Sequence, residues 1–390
     1  MFRYTRMTIL ALSMAASASA FAVAPVDATD SNSKAAALSI NSEHGTFTLE
    51  TVATGLVNPW SLAFLPDGRM LVTERPGRLR YVSKSGELSA PISGVPAVFA
   101  TGQGGLLDVV LSPNFATDSL IYFSYAEASE DGERAGTAVA RGRLQGDALV
   151  DVKRIYQQQP KLSTGAHFGS RLVFDGKGHL FITQGENNER PTSQELGKLQ
   201  GKLVRINPDG SIPDDNPFVG RDDARPEIFS YGHRNMQGAA LNPQTKVLWI
   251  SEHGPRGGDE LNIPQAGKNY GWPIITYGIN YSGLKIPEAV GTSKEGLEQP
   301  LHYWAKSPGL SGMAFATAKS AWQGNLFQGS LAERNLIRLE LDGEKAGKEE
   351  RLLGDMAQRI RDVREGPDGA IYVLTDETDG KLLKLTPPQS

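Results

Sequence analysis

Six times along this chain a short apolar strand meets a turn and then a second apolar strand ending in Thr, Ser or Gly. The copies begin near Leu62, Leu107, Arg171, Ala239, Gly312 and Ile360, with partner strands near Met70, Leu120, Leu180, Leu248, Asn325 and Ile371. Asp67-Gly68, Asp175-Gly176 and Asn242-Pro243 lie between apolar runs. They are hairpin signals, because such turns need a positive or a preset φ. One hairpin cannot bury its apolar face alone. Radial stacking of similar sheets buries those faces and leaves only short edges. A repeat at roughly 45–75 residues therefore predicts an all-β fold, a six-bladed β-propeller.

Composition agrees. Of 390 residues, 43 are Gly and 23 are Pro, a turn-rich usage expected of many short strands. Closed all-β folds often exceed the usual domain length as one unit, and no low-complexity linker interrupts the repeats, so residues 43–390 are expected to form a single domain. The net charge of −4 and the absence of a basic tract with interleaved aromatics argue against nucleic acid as a partner. There are no cysteines, which excludes disulfides and thiol chemistry.

Arg3 and Arg6 precede an apolar run over residues 7–18 that ends in Ala18-Ser19-Ala20-Phe21-Ala22. This pattern predicts a secretory signal peptide over residues 1–22, cleaved after Ala20 or Ala22. The run is shorter than the ~20 residues a bilayer span needs, so no stable membrane insertion is expected. Residues 23–42 are largely Ala, Ser, Asp and Asn without periodicity and read as a flexible lead-in.

Chemistry should sit where the strand pattern breaks. The densest break is Ser251-Glu252-His253-Gly254-Pro255-Arg256-Gly257-Gly258-Asp259-Glu260, where carboxylates and glycine-exposed carbonyls suit a hard cation such as Ca²⁺ or form a solvated turn. Downstream, Asn269-Tyr270-Gly271-Trp272 and Thr276-Tyr277-Gly278-Ile279-Asn280-Tyr281 bring aromatic density that could wall a flat ligand. His167, in Gly165-Ala166-His167-Phe168-Gly169, stands at a strand entrance, where it could act as a base or satisfy turn carbonyls. Arg234 stands before another strand and could bind an anionic oxygen or pair with a surface acid. Arg359 and Arg361 are one residue apart in a strand, project to one face and ask for an anion, unless that face is solvated.

Taken together these motifs resemble the soluble periplasmic aldose sugar dehydrogenases that use pyrroloquinoline quinone (PQQ), relatives of soluble quinoprotein glucose dehydrogenase. The resemblance covers nearly the whole mature chain and rests on Gly102-Gln103-Gly104-Gly105-Leu106-Leu107-Asp108, His167-Phe168-Gly169, Arg234-Asn235, the loop from His253 to Glu260, Asn269-Tyr270-Gly271-Trp272 and Arg359-Ile360-Arg361-Asp362-Val363. It implies four-stranded antiparallel blades, a periplasmic location, an aldose substrate oxidised at C1 to a lactone, and a separate electron acceptor. His167 matches the family's general base, taking the anomeric hydroxyl proton as hydride leaves C1 for the quinone. Arg234 and Asn235 match cofactor-binding positions, with Arg234 answering charge on the quinone oxygen. The carbonyls of Gly254 and Pro255 match ligands of a Ca²⁺ beside the cofactor. Gln103, His253, Arg359 and Arg361 match further cofactor contacts, and the stretch Thr276, Tyr277, Gly278, Ile279, Asn280 and Tyr281 is assigned to the same wall. Glu260 and Tyr270, the latter through its carbonyl, resemble ligands of a second Ca²⁺.

Two positions depart from the pattern. Relatives often carry a lysine after a Ser-Leu or Ala-Leu pair, whereas Ser330-Leu331 is followed here by Ala332. The soluble glucose enzymes place an aspartate before the base, whereas Ala166 stands here and Glu186 could orient the base instead. The competing readings are a Ca²⁺-dependent propeller hydrolase of the lactonase type, which leaves the three arginines unexplained, and a propeller that only binds.

Overall fold

The computed structural model describes residues 37–388, so the signal peptide and most of the lead-in lie outside the described residues. Each repeat opens one antiparallel sheet, whose first strand is Pro59–Phe64, Leu106–Leu111, Leu172–Phe174, Met236–Leu241, Leu310–Phe315 or Ile360–Glu365. Each of these strands touches its counterpart in the next sheet, around a closed ring. The fold is a six-bladed β-propeller.

The apolar cores lie between blades. Leu71 and Leu79 pack with Val109 and Phe123, Tyr122 and Val139 with Leu180 and Val204, Phe181 with Met236 and Ile250, and so on around the ring. A single hairpin therefore has no core of its own, which is why the repeats need one another.

Four blades have four strands, one has three and one has five. In the three-stranded blade, Arg78–Val82 is followed by a segment containing Gly86, Pro91, Gly94 and Pro96, which breaks strand geometry and leaves only isolated bridges. The five-stranded blade closes the ring: Gly45–Leu56 pairs with Gly380–Thr386, joining both ends of the chain in one sheet. Leu38–Ser42 then adds the fifth strand. The expected lead-in is thus corrected at its end, since residues 38–42 are ordered by the ladder to Gly45–Leu49.

A buried ion network ties the inner strands together. Arg171 Nη1 lies 2.8 Å from Asp362 and 3.4 Å from Asp108, while Arg364 lies 2.7 Å from Asp108 and 3.0 Å from Asp362. The remaining acceptor capacity takes the amides of Leu172 (2.8 Å) and Leu62 (3.0 Å). Arg171 also donates to the carbonyls of Gln237 and Arg361 and stacks on Trp60 at 4.1 Å. Strands of five blades are held by this one group.

Candidate active site

Because every first strand runs in the same sense, the residues just before it emerge at one end of the channel. The turns after every second strand return to that same end. Asn58, Phe168, Gly169, Gly309 and Arg359 arrive by the first route, and Arg75, His253, Leu331, Ala332 and Asp376 by the second. Together they line a cavity of about 920 Å³.

His167, next to the cavity-lining Phe168, is not itself among the lining residues; it is buried with φ +55°, a conformation that costs a non-glycine residue and is held by its neighbours. Gln103 Oε1 accepts its amide at 2.9 Å and Asn187 Nδ2 donates to its carbonyl at 3.0 Å. Its Nδ1 donates to Glu186 Oε2 at 2.6 Å, and among the described residues no protein group bonds Nε2. Burial alone would raise the Glu186 carboxyl; His167, Arg234 and the Asn188 amide outweigh that and hold it below the usual carboxylate range. An ionised Glu186 fixes the tautomer that leaves a lone pair on Nε2.

Arg234 and Asn235 enter from the next blade. The Arg234 amide donates to Glu252 at 2.7 Å and its Nη1 to the carbonyls of Gly254 (2.6 Å) and His253 (3.2 Å). Asn235 Oδ1 accepts from Gly169 N at 3.0 Å, and its buried Nδ2 has no partner among the described residues. Arg234 Nε and Arg361 Nε are likewise buried and unpaired. Such groups are costly unless an acceptor meets them.

In the 253–260 loop, Asp259 accepts the amides of Gly254 (2.9 Å), Gly309 (2.8 Å) and Leu310 (3.1 Å) and so sets the loop's shape. Gly257 and Gly258 both adopt positive φ, which turns the chain back so that Gly254 and Pro255 face the cavity. His253 donates to the Leu310 carbonyl. Burial, reinforced by Arg234 and His167 against the opposing pull of Asp259, pushes it down to about 4 and keeps it neutral at neutral pH. Glu260 lies off the cavity, opposite Glu252 in the ladder, and burial together with Glu252 drives its carboxyl well above the usual range. Tyr270 stacks on His233 at 4.7 Å and donates its hydroxyl to Ile263 O.

Arg359 and Arg361 do share a face, and the anion they meet within the protein is Asp376, at 3.1 and 2.8 Å. Burial alone would raise Asp376; Arg361, Arg75 and Arg359 hold it well below the usual range. A carboxyl depressed in the fold contributes stability above its unfolded pKa of about 3.9, and that contribution is lost as pH falls toward the folded value. Asp376→Asn should therefore lower Tm at neutral pH and flatten its decline below about pH 4. Melting curves of wild type and variant that run parallel into acid would contradict this assignment.

The aromatic stretch is only partly on the wall. Ile279 and Tyr281 line the cavity, and Gly278 packs on Pro255 and Gly257 behind it. Thr276, Tyr277 and Asn280 do not line it. Tyr277, two residues before Ile279, instead stacks on Tyr303 at 3.8 Å and bonds Gln299. Asn280 is spent in the turn that closes at Gly283. Conversely, Trp60, Arg75, Gln237 and Asp376 belong to the site and escaped the sequence reading. Gln237, three residues after Arg234, lies nearest in sequence to a residue singled out from the motifs.

Among the described residues no three His, Cys, Asp or Glu side chains form a metal cage. A cation here would have to lean on backbone carbonyls. The Glucose / Sorbosone dehydrogenase family profile matches residues 56–384. Aldose sugar dehydrogenase YliI of Escherichia coli (strain K12) is 57% identical over 347 residues, which cover 88% of this chain and 93% of that protein. The crystal structure of the soluble aldose sugar dehydrogenase from Escherichia coli in its apo form superposes with a TM-score of 0.86 at 57% identity, over 88% of this chain and 100% of that one. The PQQ-bound aldose sugar dehydrogenase from Streptomyces coelicolor superposes with a TM-score of 0.73 at 30% identity, over 87% and 98%. With the propeller, the arginine-walled cavity and these matches in agreement, the chain belongs to the glucose/sorbosone dehydrogenase family.

Proposed function

We propose that this chain is a quinoprotein aldose dehydrogenase that oxidises sugars at C1 to lactones, with PQQ and Ca²⁺, after export to the periplasm. The observation that carries the reading is a His167–Glu186 pair beside a cavity whose arginines exceed its carboxylates. Buried, unpaired donors on Asn235, Arg234 and Arg361 fit an acceptor-rich polyanion such as PQQ. The Gly254 and Pro255 carbonyls fit a hard cation. The Pro255 carbonyl has only a 3.5 Å contact from Ser307 Oγ, and the Gly254 carbonyl already draws a guanidinium. Glu260, crowded by Glu252, together with the Tyr270 carbonyl suits a second cation.

PQQ, when bound, supplies the electrophilic carbon that takes hydride from the sugar. The protein supplies position, charge and a proton acceptor. His167 Nε2 accepts the proton of the anomeric hydroxyl, and Glu186 stabilises the imidazolium that results. Arg234, beside the carbonyls that would hold Ca²⁺, stabilises negative charge where it develops, a contribution of several kcal/mol in such sites. Phe168, Trp60 and Ile279 add apolar lining to the cavity. No helix among the described residues is long and apolar enough to cross a membrane.

Purified protein given PQQ and Ca²⁺ should reduce an artificial electron acceptor when an aldose is added, and chelation should abolish both turnover and cofactor retention. Full activity after exhaustive chelation would remove the metal from the reading. Lactone hydrolysis without PQQ would replace dehydrogenation with the hydrolase alternative.

A further inference from the structure

Three guanidiniums converge on Asp376, and only two of them are explained by it. Arg359 and Arg361 make ion pairs with its carboxylate. Arg75, delivered by the turn after Met70–Glu74, lines the same cavity and makes no ion pair among the described residues. Its Nη1 donates to the Gly102 carbonyl at 2.7 Å, and its buried Nε has no partner among the described residues. The four groups share one field: burial lowers Arg75, Asp376 opposes that, and Arg361 and Arg359 add to it. One carboxylate among three guanidiniums leaves a surplus of two positive charges on a partly closed wall. Like charges gathered on one wall repel one another, and a further anion relieves that repulsion. The pairing of Arg361 with Gln237 at 2.8 Å and its stacking toward Trp60 at 5.9 Å hold that guanidinium in place, so the wall cannot relax by swinging it away.

We propose that Arg75 is a third anion-binding residue of this wall and contacts a carboxylate of the bound quinone alongside Arg359 and Arg361. The inference rests on the PQQ reading above and adds to it a residue from a different blade. Arg75 belongs to the blade opened by Pro59–Phe64, so the cofactor would bridge the first and last blades of the ring, where Gly45–Leu56 closes it.

The test is to titrate apoprotein with PQQ, with Ca²⁺ present throughout, following the quenching of tryptophan fluorescence, for which Trp60 on the cavity wall is a built-in reporter. Wild type, Arg75→Gln, Arg75→Lys and Arg334→Gln, an arginine off the cavity, are compared with Tm measured alongside. Loss of a charge-assisted hydrogen bond should raise Kd in Arg75→Gln by about 10–100-fold. Arg75→Lys should recover part of the affinity, Arg334→Gln should match wild type, and the salt dependence of Kd should weaken in Arg75→Gln. A Kd for Arg75→Gln within twofold of wild type overturns the proposal. So does weakened binding accompanied by a large fall in Tm that Arg75→Lys does not repair, which would assign Arg75 to holding the Gly102 loop. Wild-type protein that binds no PQQ removes the cofactor reading itself; wild type that binds while Arg75→Gln binds equally removes only this inference.

Discussion

Replacing His167 by alanine should lower kcat by about 10²–10⁴-fold on cofactor-saturated protein while leaving cofactor uptake and Tm close to wild type. Among the described residues the side chain makes one hydrogen bond, at 2.6 Å to Glu186, and none at Nε2, so its loss removes the proton acceptor. The arginines and the 254–255 carbonyls are untouched. Glu186→Gln should reproduce part of the loss, at least about tenfold, because a neutral amide no longer stabilises the imidazolium and can present an N–H to Nδ1. A histidine that only ties its turn together would behave otherwise, with lower Tm and normal kcat per folded molecule. Measuring kcat and Tm on the same saturated samples decides the matter. A stable, saturated and active His167→Ala protein would take His167 out of the mechanism. His253 would be a poor replacement, because burial pushes it down to about 4, which makes it a weak proton acceptor, and its Nε2 is already bonded to the Leu310 carbonyl.

Arg171→Met should be the most destabilising single change away from the cavity. It leaves Asp108 and Asp362 buried with only Arg364 between them and strips a donor from the carbonyls of Gln237 and Arg361. Removing one partner of a buried pair costs about 3–5 kcal/mol, because the other charge stays desolvated. The denaturation midpoint in guanidinium chloride, read with its slope, should show that loss, whereas Arg334→Gln should stay within about 0.5 kcal/mol of wild type. A loss below about 1 kcal/mol for Arg171→Met would mean that the inter-blade apolar cores hold the ring without the network. Arg361 and Gln237 take their positions from Arg171, so a folded Arg171→Met protein should also bind PQQ less tightly.

The six hairpins were legible because their cause is local. Asp67-Gly68 or Asn242-Pro243 dictates a turn whatever lies elsewhere, and alternating apolar residues on either side dictate strands. Motif residues at strand entrances, such as His167, Arg234 and Arg359, could be picked out for the same reason, and Glu186 was identified as a candidate partner for His167. Other features follow from packing through space. Nothing local marks Arg75, Trp60 or Asp376: each looks like an ordinary strand or turn residue until the ring brings the first and last blades side by side. Nothing local separates Tyr277 from Tyr281, since alternation alone would give them one face; the stack on the distant Tyr303 takes Tyr277 off the cavity while Tyr281 lines it. The strand at residues 38–42 looked like lead-in because its order comes from a ladder to Gly45–Leu49, whose strand is itself anchored to the far end of the chain. Turn chemistry and periodicity act over a few residues and can be read one segment at a time. Ion pairing, strand addition and the assembly of a cavity from the strand entrances and turns of separate blades depend on which distant segments meet, and that is settled only when the ring closes.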